Sequence, residues 1–293
     1  MNFEAFLIVA LAGLLVGVLS GMFGIGGGTM IVPLLNLVFS VPMTGATSTS
    51  LFVIAPTAIS GTFRHAKQKT ADVKLGVLIG LSGALTSALG AWLSEDLPDL
   101  MLVIITSLVI LYSAFQMFKS SRKKPTDVSE VSLGLSPEAS HAPTAPAVPT
   151  ASAVPTASAE STVPKPVMRK IVIAVVLGLF AGLIAGLVGV GGGFIIVPMS
   201  IALLGFSMHR AAGTSLLAIA IIAIPGIISH AFLGHIWYLH GLALLVGTIP
   251  GAQLGARLAA RIPDRALRMA FGVVLVFSGS MLLVNQLFLS KMS

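Results

Sequence analysis

Apolar runs dominate this chain, and the polar positions fall between them in short clusters. The runs cover 5–22, 29–39, 45–63, 73–93 and 99–118, then 170–188, 194–205, 211–232, 239–258 and 264–288. Most reach the roughly 20 residues that a helix needs to cross a bilayer. Two do not, and each of these follows a glycine cluster, Gly24–Gly28 before 29–39 and Gly189–Gly193 before 194–205. The 11 residues of 29–39 rise only about 16 Å as a helix, against a hydrocarbon core of about 30 Å. The pattern therefore predicts an all-α membrane protein. Each short run reads as the return arm of a hairpin that dips into the membrane, turns at its glycines and leaves on the side it entered.

The order of runs is stated twice. Gly13 recurs as Gly178 and Pro33 as Pro198, an offset of 165, and 11 of the 21 positions from 13 to 33 are identical across it. The offset holds without a gap far beyond the glycines. Ala46, Thr49, Ser50 and Leu51 return as Ala211, Thr214, Ser215 and Leu216, His65 as His230, Gly90-Ala91 as Gly255-Ala256, and Pro98-Asp99 as Pro263-Asp264. A duplicated unit of this kind is the mark of a transporter fold. We divide the chain into a transmembrane repeat over 1–119, a linker over 120–166 and a second transmembrane repeat over 167–293. The linker is rich in Pro, Ala, Ser and Thr, and carries the hexapeptide AVPTAS twice, at 147–152 and 153–158. Such material buries too little apolar surface to repay its ordering entropy, so it is expected to be disordered.

Composition agrees with a lipid solvent. The chain is 56% hydrophobic and 9% charged, with mean hydropathy +1.01. No cysteine is present, which removes thiolate metal sites and cysteine nucleophiles. No Lys or Arg precedes the first apolar run, so it does not read as a secretory signal. The net charge of +7 belongs to loops, not to a nucleic-acid surface, and no nucleic-acid partner is expected. Lys and Arg mark cytoplasmic loops. Arg64, Lys67, Lys69 and Lys74 place one loop inside, and Glu95, Asp96 and Asp99 mark the next outside. Lys119, Arg122, Lys123 and Lys124, with Lys165, Arg169 and Lys170, make the linker cytoplasmic. In the second half the signs exchange. The 229–241 loop has no Lys or Arg, whereas Arg257, Arg261, Arg265 and Arg268 follow it. Equivalent loops on opposite faces predict two inverted repeats, each a Gly-turn helical hairpin plus three transmembrane helices.

Candidate chemistry sits where backbone leaves the helix. Irregular backbone at membrane depth survives only where protein or a water-filled cavity covers it, and helix N-termini attract anions. Gly26, Gly27, Gly28 and Thr29, with Gly191, Gly192, Gly193 and Phe194, are the candidate substrate-binding groups. The hydroxyls of Thr49, Ser50, Thr214 and Ser215 are candidates to join them, with helix capping or interhelical bonding as the equal alternative. The spacing of Gly13, Gly17 and Gly21, and of Gly178, Gly182 and Gly186, reads as a packing seam. His65 and His230 end equivalent helices and are candidates for gating or proton coupling, or for simple interfacial roles. His230, His235 and His240 lie five apart, which is not one helical face, so no metal site is expected. No Asp or Glu falls well inside an apolar run, and no pair of carboxylates or nucleophile-base set is present. Neither a catalytic site nor a cofactor is expected.

Gly21-Met-Phe-Gly-Ile-Gly-Gly-Gly with Val32-Pro33, repeated as Gly186-Leu-Val-Gly-Val-Gly-Gly-Gly with Val197-Pro198, resembles the sulfite exporter TauE/SafE family. Ala46–Leu51, Ala212–Leu216 and Gly251–Leu258 are similar to its further motifs. The resemblance implies a bacterial permease, multi-pass in the inner membrane, for a small sulfur-containing anion: sulfite, sulfoacetate or another organosulfonate. Compact oxyanions suit converging N–H groups and hydroxyls. The expected activity is secondary transport by alternating access of two pseudo-symmetric halves, with the anion between the glycine turns. An anion channel is the alternative, and behind it a membrane-embedded enzyme or scaffold.

Overall fold

The computed structural model describes residues 3–39, 41–95, 99–122, 165–188 and 191–292, and among these the chain is helical without strands. The first half forms α1 (Phe3–Phe23), α2 (Gly28–Pro33), a π-helical turn (Leu34–Val38), α3 (Met43–Lys67), α4 (Val73–Glu95) and α5 (Asp99–Arg122). The second forms α6 (Lys165–Val188), α7 (Gly193–Leu204), α8 (Met208–Phe232), α9 (Tyr238–Ala259) and α10 (Asp264–Met292). The linker expected over 120–166 lies outside the described residues from 123 to 164, and its two edges are the end of α5 and the start of α6.

By length and composition, α1, α4, α6, α8 and α9 can each cross a membrane. Their outer faces remain apolar: Leu81, Leu85 and Leu89, one helical turn apart on α4, are 57%, 73% and 60% exposed. Contiguous apolar surface of this kind needs a lipid covering.

Small residues set how the helices pack. A Cβ on Gly13 would lie 2.7 Å from the Leu244 carbonyl oxygen, one on Gly17 would lie 2.5 Å from that of Thr248, and Gly21 faces the Ala252 backbone. The residue numbers rise together, so α1 and α9 run parallel with their backbones in contact. The same seam joins α6 to α4, where Gly178 faces Ile79, Gly182 faces Gly83 and Gly90 faces Leu183. At the offset of 165, α6 is the counterpart of α1 and α9 of α4, so each half supplies the other's packing partner. Without a hydrophobic drive between helices in lipid, such close approach and its dispersion contacts hold them together.

Further contacts fix the remaining directions. Gly241 lies against Phe52, the Thr57 and Thr248 hydroxyls are hydrogen-bonded at 2.7 Å, and Gln68 Nε2 donates to the Ala256 carbonyl at 3.2 Å, so α3 is parallel to α9. Gly76 meets Thr214 and Gly80 meets Ile221, so α4 is parallel to α8. Gly61 meets Leu216 while Gly226 meets Leu51, so α3 and α8 are antiparallel. It follows that α1, α3 and α9 point one way and α4, α6 and α8 the other. Since α1 and α3 share a direction, the stretch through α2 and the π turn carries the chain back to the end where α1 began. The stretch through α7 does the same between α6 and α8.

Equivalent loops are also built alike. After α3 the N–H groups of Gln68, Lys69 and Thr70 return to the carbonyls of Arg64, Ala66 and His65, at 3.1, 3.0 and 3.0 Å. After α8 those of Leu233, Gly234 and His235 return to Ser229, Ala231 and His230, at 3.1, 3.3 and 3.2 Å. Both loops need a left-handed residue, met by Gly234 at φ 70° in one and by Lys69 at φ 57° in the other.

Candidate functional site

Both glycine clusters turn with left-handed backbone. Gly24, Gly26 and Gly27 have φ of 74°, 80° and 86°, and Gly191 and Gly192 have 85° and 69°. Side chains with a Cβ rarely adopt this region, so the clusters are glycine because the chain reverses there. Gly27 and Gly192 then start α2 and α7. The N–H groups of Met30 and Ile31 both reach the Gly27 carbonyl at 3.0 Å, and those of Ile195 and Ile196 reach Gly192 at 3.0 and 3.1 Å. The N–H groups of Gly28, Thr29, Gly193 and Phe194 precede these first helical bonds, as at any helix start.

The two turns meet. Ile54 and Ile219, equivalent residues near the middles of α3 and α8, pack against both. A Cβ on Gly26 would lie 3.0 Å from Ile219 and 3.2 Å from Ile54, and one on Gly191 would lie 3.3 Å from each. A Cβ on Gly193 would lie 2.6 Å from the Ile25 oxygen and 2.8 Å from the Gly24 oxygen. Gly26, Gly27, Gly28, Thr29, Gly191, Gly192, Gly193 and Phe194 are all buried. The turns thus stand backbone to backbone between the crossing helices, closed over by side chains.

Three of the four candidate hydroxyls bond within the protein. Ser215 Oγ donates to the Gly24 carbonyl at 2.7 Å, which ties α8 to the first turn. Thr214 Oγ1 accepts from the Asp72 N–H at 3.0 Å, and Thr49 Oγ1 accepts from the Trp237 N–H at 3.0 Å. Asp72 and Trp237 occupy equivalent positions, so each threonine clamps the loop of the opposite half. The fourth hydroxyl, Ser50, is buried and has no hydrogen-bond partner. Ser20 and Thr29, on the two arms of the first hairpin, are likewise buried without a partner. Ser20 escaped the sequence reading. Its one trace there is a serine where the second half has Ala185.

His65 is 1% exposed and joins three segments. Its Nε2 lies 3.0 Å from the Gly21 carbonyl and its Nδ1 lies 2.9 Å from Thr70 Oγ1. A carbonyl only accepts, so Nε2 carries a hydrogen. The Thr70 hydroxyl has two acceptors in reach, Nδ1 and the His65 carbonyl at 3.1 Å. It can donate to the first when the ring is neutral and to the second when Nδ1 also carries a proton. His230, half-buried at the opposite end of the bundle, stacks obliquely beside His235, with ring centroids 5.9 Å apart.

The starts of α8 and α10, with the residue that precedes α4, carry an ionic layer. Arg210 donates to Asp72 at 2.6 Å, and Asp264 forms ion pairs with Arg268 at 2.6 Å and His209 at 3.6 Å. At the other end Trp237 lies over Gly45, where a Cβ would come within 2.8 Å of its Nε1. Arg210 and Gly45 are equivalent, as are Asp72 and Trp237. One end is therefore tied by an ion pair and the other by an indole on a glycine. A cavity of about 290 Å³ between α5, α6 and α7 is lined mainly by apolar side chains, Leu108, Phe180, Ile195, Pro198 and Met199 among them, with Tyr112, Ser113 and Gln116 as its polar members. Among the described residues, no group of His, Asp and Glu is placed to hold a metal.

The amino-acid sequence has counterparts among known proteins. Residues 9–282 match the family model for the sulfite exporter TauE/SafE. The chain is similar to the probable membrane transporter protein YunE of Bacillus subtilis (strain 168), 27% identical over 97% of this chain and 99% of that one. It is also similar to the probable membrane transporter protein YdhB of the same organism, 26% identical over 94% of this chain and all of the relative. A probable membrane transporter protein of Methanocaldococcus jannaschii is 25% identical over 97% of this chain and 98% of its own. No solved structure matches the chain. With nearly its whole length matched, the chain belongs to the sulfite exporter TauE/SafE family of membrane transporters.

Proposed function

We propose that this transporter is a secondary carrier of sulfur-containing anions, sulfite, sulfoacetate or other organosulfonates, working by alternating access of two inverted halves. The observation that carries the reading is the meeting of the two glycine turns between α3 and α8, where Gly193 faces the Gly24 and Ile25 carbonyls. The oxyanion binds when these turns part. Backbone N–H groups at Gly26–Thr29 and Gly191–Phe194 then converge on it, with Ser50 as a free hydroxyl.

Several features support this arrangement. Equivalent helices point in opposite directions, as an inverted repeat requires. Irregular backbone in the bundle interior is the usual form of a transporter's binding site. The basic loops share one end with the ionic layer, which supports a cytoplasmic face at that end by the positive-inside rule and, with it, a cytoplasmic linker. An anion leaving an inside-negative cell gains about 2.3 kcal/mol per charge per 100 mV. Export therefore needs no coupling ion, in keeping with the spans' lack of carboxylates. Uptake uses His65, whose Thr70 partner accommodates either protonation state.

The test is flux through purified protein in proteoliposomes. Saturable, counterflow-sensitive movement of sulfite or sulfoacetate is expected. Flux that rises linearly with concentration and shows no counterflow would assign a channel instead. Gly193→Ala places a methyl against the Gly24 and Ile25 carbonyls, so it should cut flux by up to about a hundredfold, the order of a 1 Å misplacement. Undiminished flux would remove the turns from the pathway.

A further inference from the structure

We propose that Ser20 and Thr29 are the hydroxyl donors for the transported oxyanion, so that the first turn binds the charged group with hydroxyls and the second turn, whose nearest unpartnered hydroxyl is Ser200 farther along α7, supplies backbone. The inference rests on the carrier reading above and makes its site one-sided.

Three observations converge. First, both side chains are 1% exposed and neither Ser20 Oγ nor Thr29 Oγ1 has a partner. A hydroxyl in a transmembrane helix normally bonds back to a carbonyl of its own helix. Ser48 does so to Thr44 at 2.6 Å, Thr57 to Val53 at 2.7 Å and Ser82 to Leu78 at 2.8 Å. Burying a hydroxyl without such a bond costs stability.

Second, the two residues bracket the turn. The Ser20 Cβ lies 3.6 Å from where a Cβ on Gly27 would stand, and the Ser20 carbonyl accepts the Gly24 N–H at 2.8 Å. Thr29 is the second residue of α2. Ser20 therefore stands in the last turn of α1 against the glycine turn, and Thr29 stands at the start of α2, where the N–H groups precede the first helical bonds.

Third, the protein contains its own control. The second hairpin makes the same turn, with Gly191 and Gly192 left-handed as Gly26 and Gly27 are. There the counterparts of Ser20 and Thr29 are Ala185 and Phe194. The hairpin is thus built without either hydroxyl, and neither is needed to fold it. What remains is the chemistry of a donor. A hydroxyl donates to an oxyanion without a fixed charge that would cost energy at membrane depth and hold the anion against release.

The experiment compares Ser20→Ala and Thr29→Val with the unmodified transporter, full-length in lipid nanodiscs and proteoliposomes, using sulfite and sulfoacetate as probes. Ser107→Ala is the control, because Ser107 is also buried and unpartnered but lies on α5. Each site variant should melt no lower than the parent, having lost an unsatisfied hydroxyl. Each should need about tenfold or more probe for half-maximal thermal shift and half-maximal flux, the size of one hydrogen bond to a charged group. The control should keep the parent's half-saturation. Equal half-saturation in parent, Ser20→Ala and Thr29→Val would overturn the inference and leave the carrier intact. An equal loss in Ser107→Ala would overturn it as well, since the effect would then belong to any buried hydroxyl. If neither probe shifts or crosses with the unmodified protein, the carrier reading fails and takes this inference with it.

Discussion

Thr49 and Thr214 show what one residue position can and cannot reveal. At an offset of 165 they are plainly a pair, but the group each one binds is a backbone N–H of the other half. Asp72 and Trp237, which supply those N–H groups, share no chemistry, so no pattern in the sequence points to the clamp. Only the crossing of α3 and α8 with the neighbouring loops brings them together. Both bonds are part-buried, and an intramolecular hydrogen bond of this kind contributes about 0.5–1.5 kcal/mol. Thr49→Val and Thr214→Val should each lower stability by that amount, seen as an earlier thermal transition in detergent. Thr→Ser at either site should restore most of it. If valine is tolerated at both, the clamps are incidental. Ser215 differs from both, because it bonds the first turn itself. Ser50, its counterpart, stays unbonded and is the hydroxyl of this set that remains for a ligand.

At the scale of elements, the runs that form α1, α4, α6, α8 and α9 and the two glycine breaks were legible because bilayer thickness is a ruler. A run either reaches across or it does not. Shared helix directions then make each short arm a return, which sequence length alone only suggested. The difference between the arms was not legible. The first arm widens into a π turn over Leu34–Val38, whereas α7 continues as an α-helix to Leu204. Pro33 and Pro198 are equivalent, so proline is not the cause. Asn36, where the second half has Ile201, donates to the Val41 carbonyl at 3.0 Å and closes the widened turn. The glycine seam was read correctly as packing, but its partner could not be named. A seam residue says that a backbone comes close, not which one. Gly17→Leu tests the pairing, since the added side chain meets the Thr248 backbone and no rotamer relieves it. Folded yield should fall severely, as for the large losses that follow core overpacking. Gly17→Ala should cost less, and equal yields for both would put α9 elsewhere.

For the whole molecule, two ends closed by different chemistry bear on how the proposed carrier moves. Arg210 is half exposed beside Asp72, and such a pair contributes about 0–1 kcal/mol. Its loss therefore shifts an open–closed equilibrium by roughly fivefold at most. Asp72→Asn keeps a side-chain oxygen for the Leu75 N–H, which Asp72 accepts at 3.1 Å, but weakens the tie to Arg210. A cysteine at Ala212, buried beside Gly24, should label up to about fivefold faster from the basic end in that variant. High salt should produce part of the same increase in the parent. The chain has no cysteine of its own, so a single thiol is read without background. The same property decides the inverted arrangement directly. Gln68 follows α3 at the basic end, and His235 is its near-counterpart after α8 at the other. Two repeats related without inversion would put both loops on one face, because both follow equivalent helices. With α3 and α8 antiparallel, cysteines at 68 and 235 must react with a membrane-impermeant maleimide from opposite sides of intact cells and inverted vesicles. Labelling of both from one side would sink the inverted repeat. Alternating access about the two glycine turns would fall with it, because each turn would then open toward the same compartment.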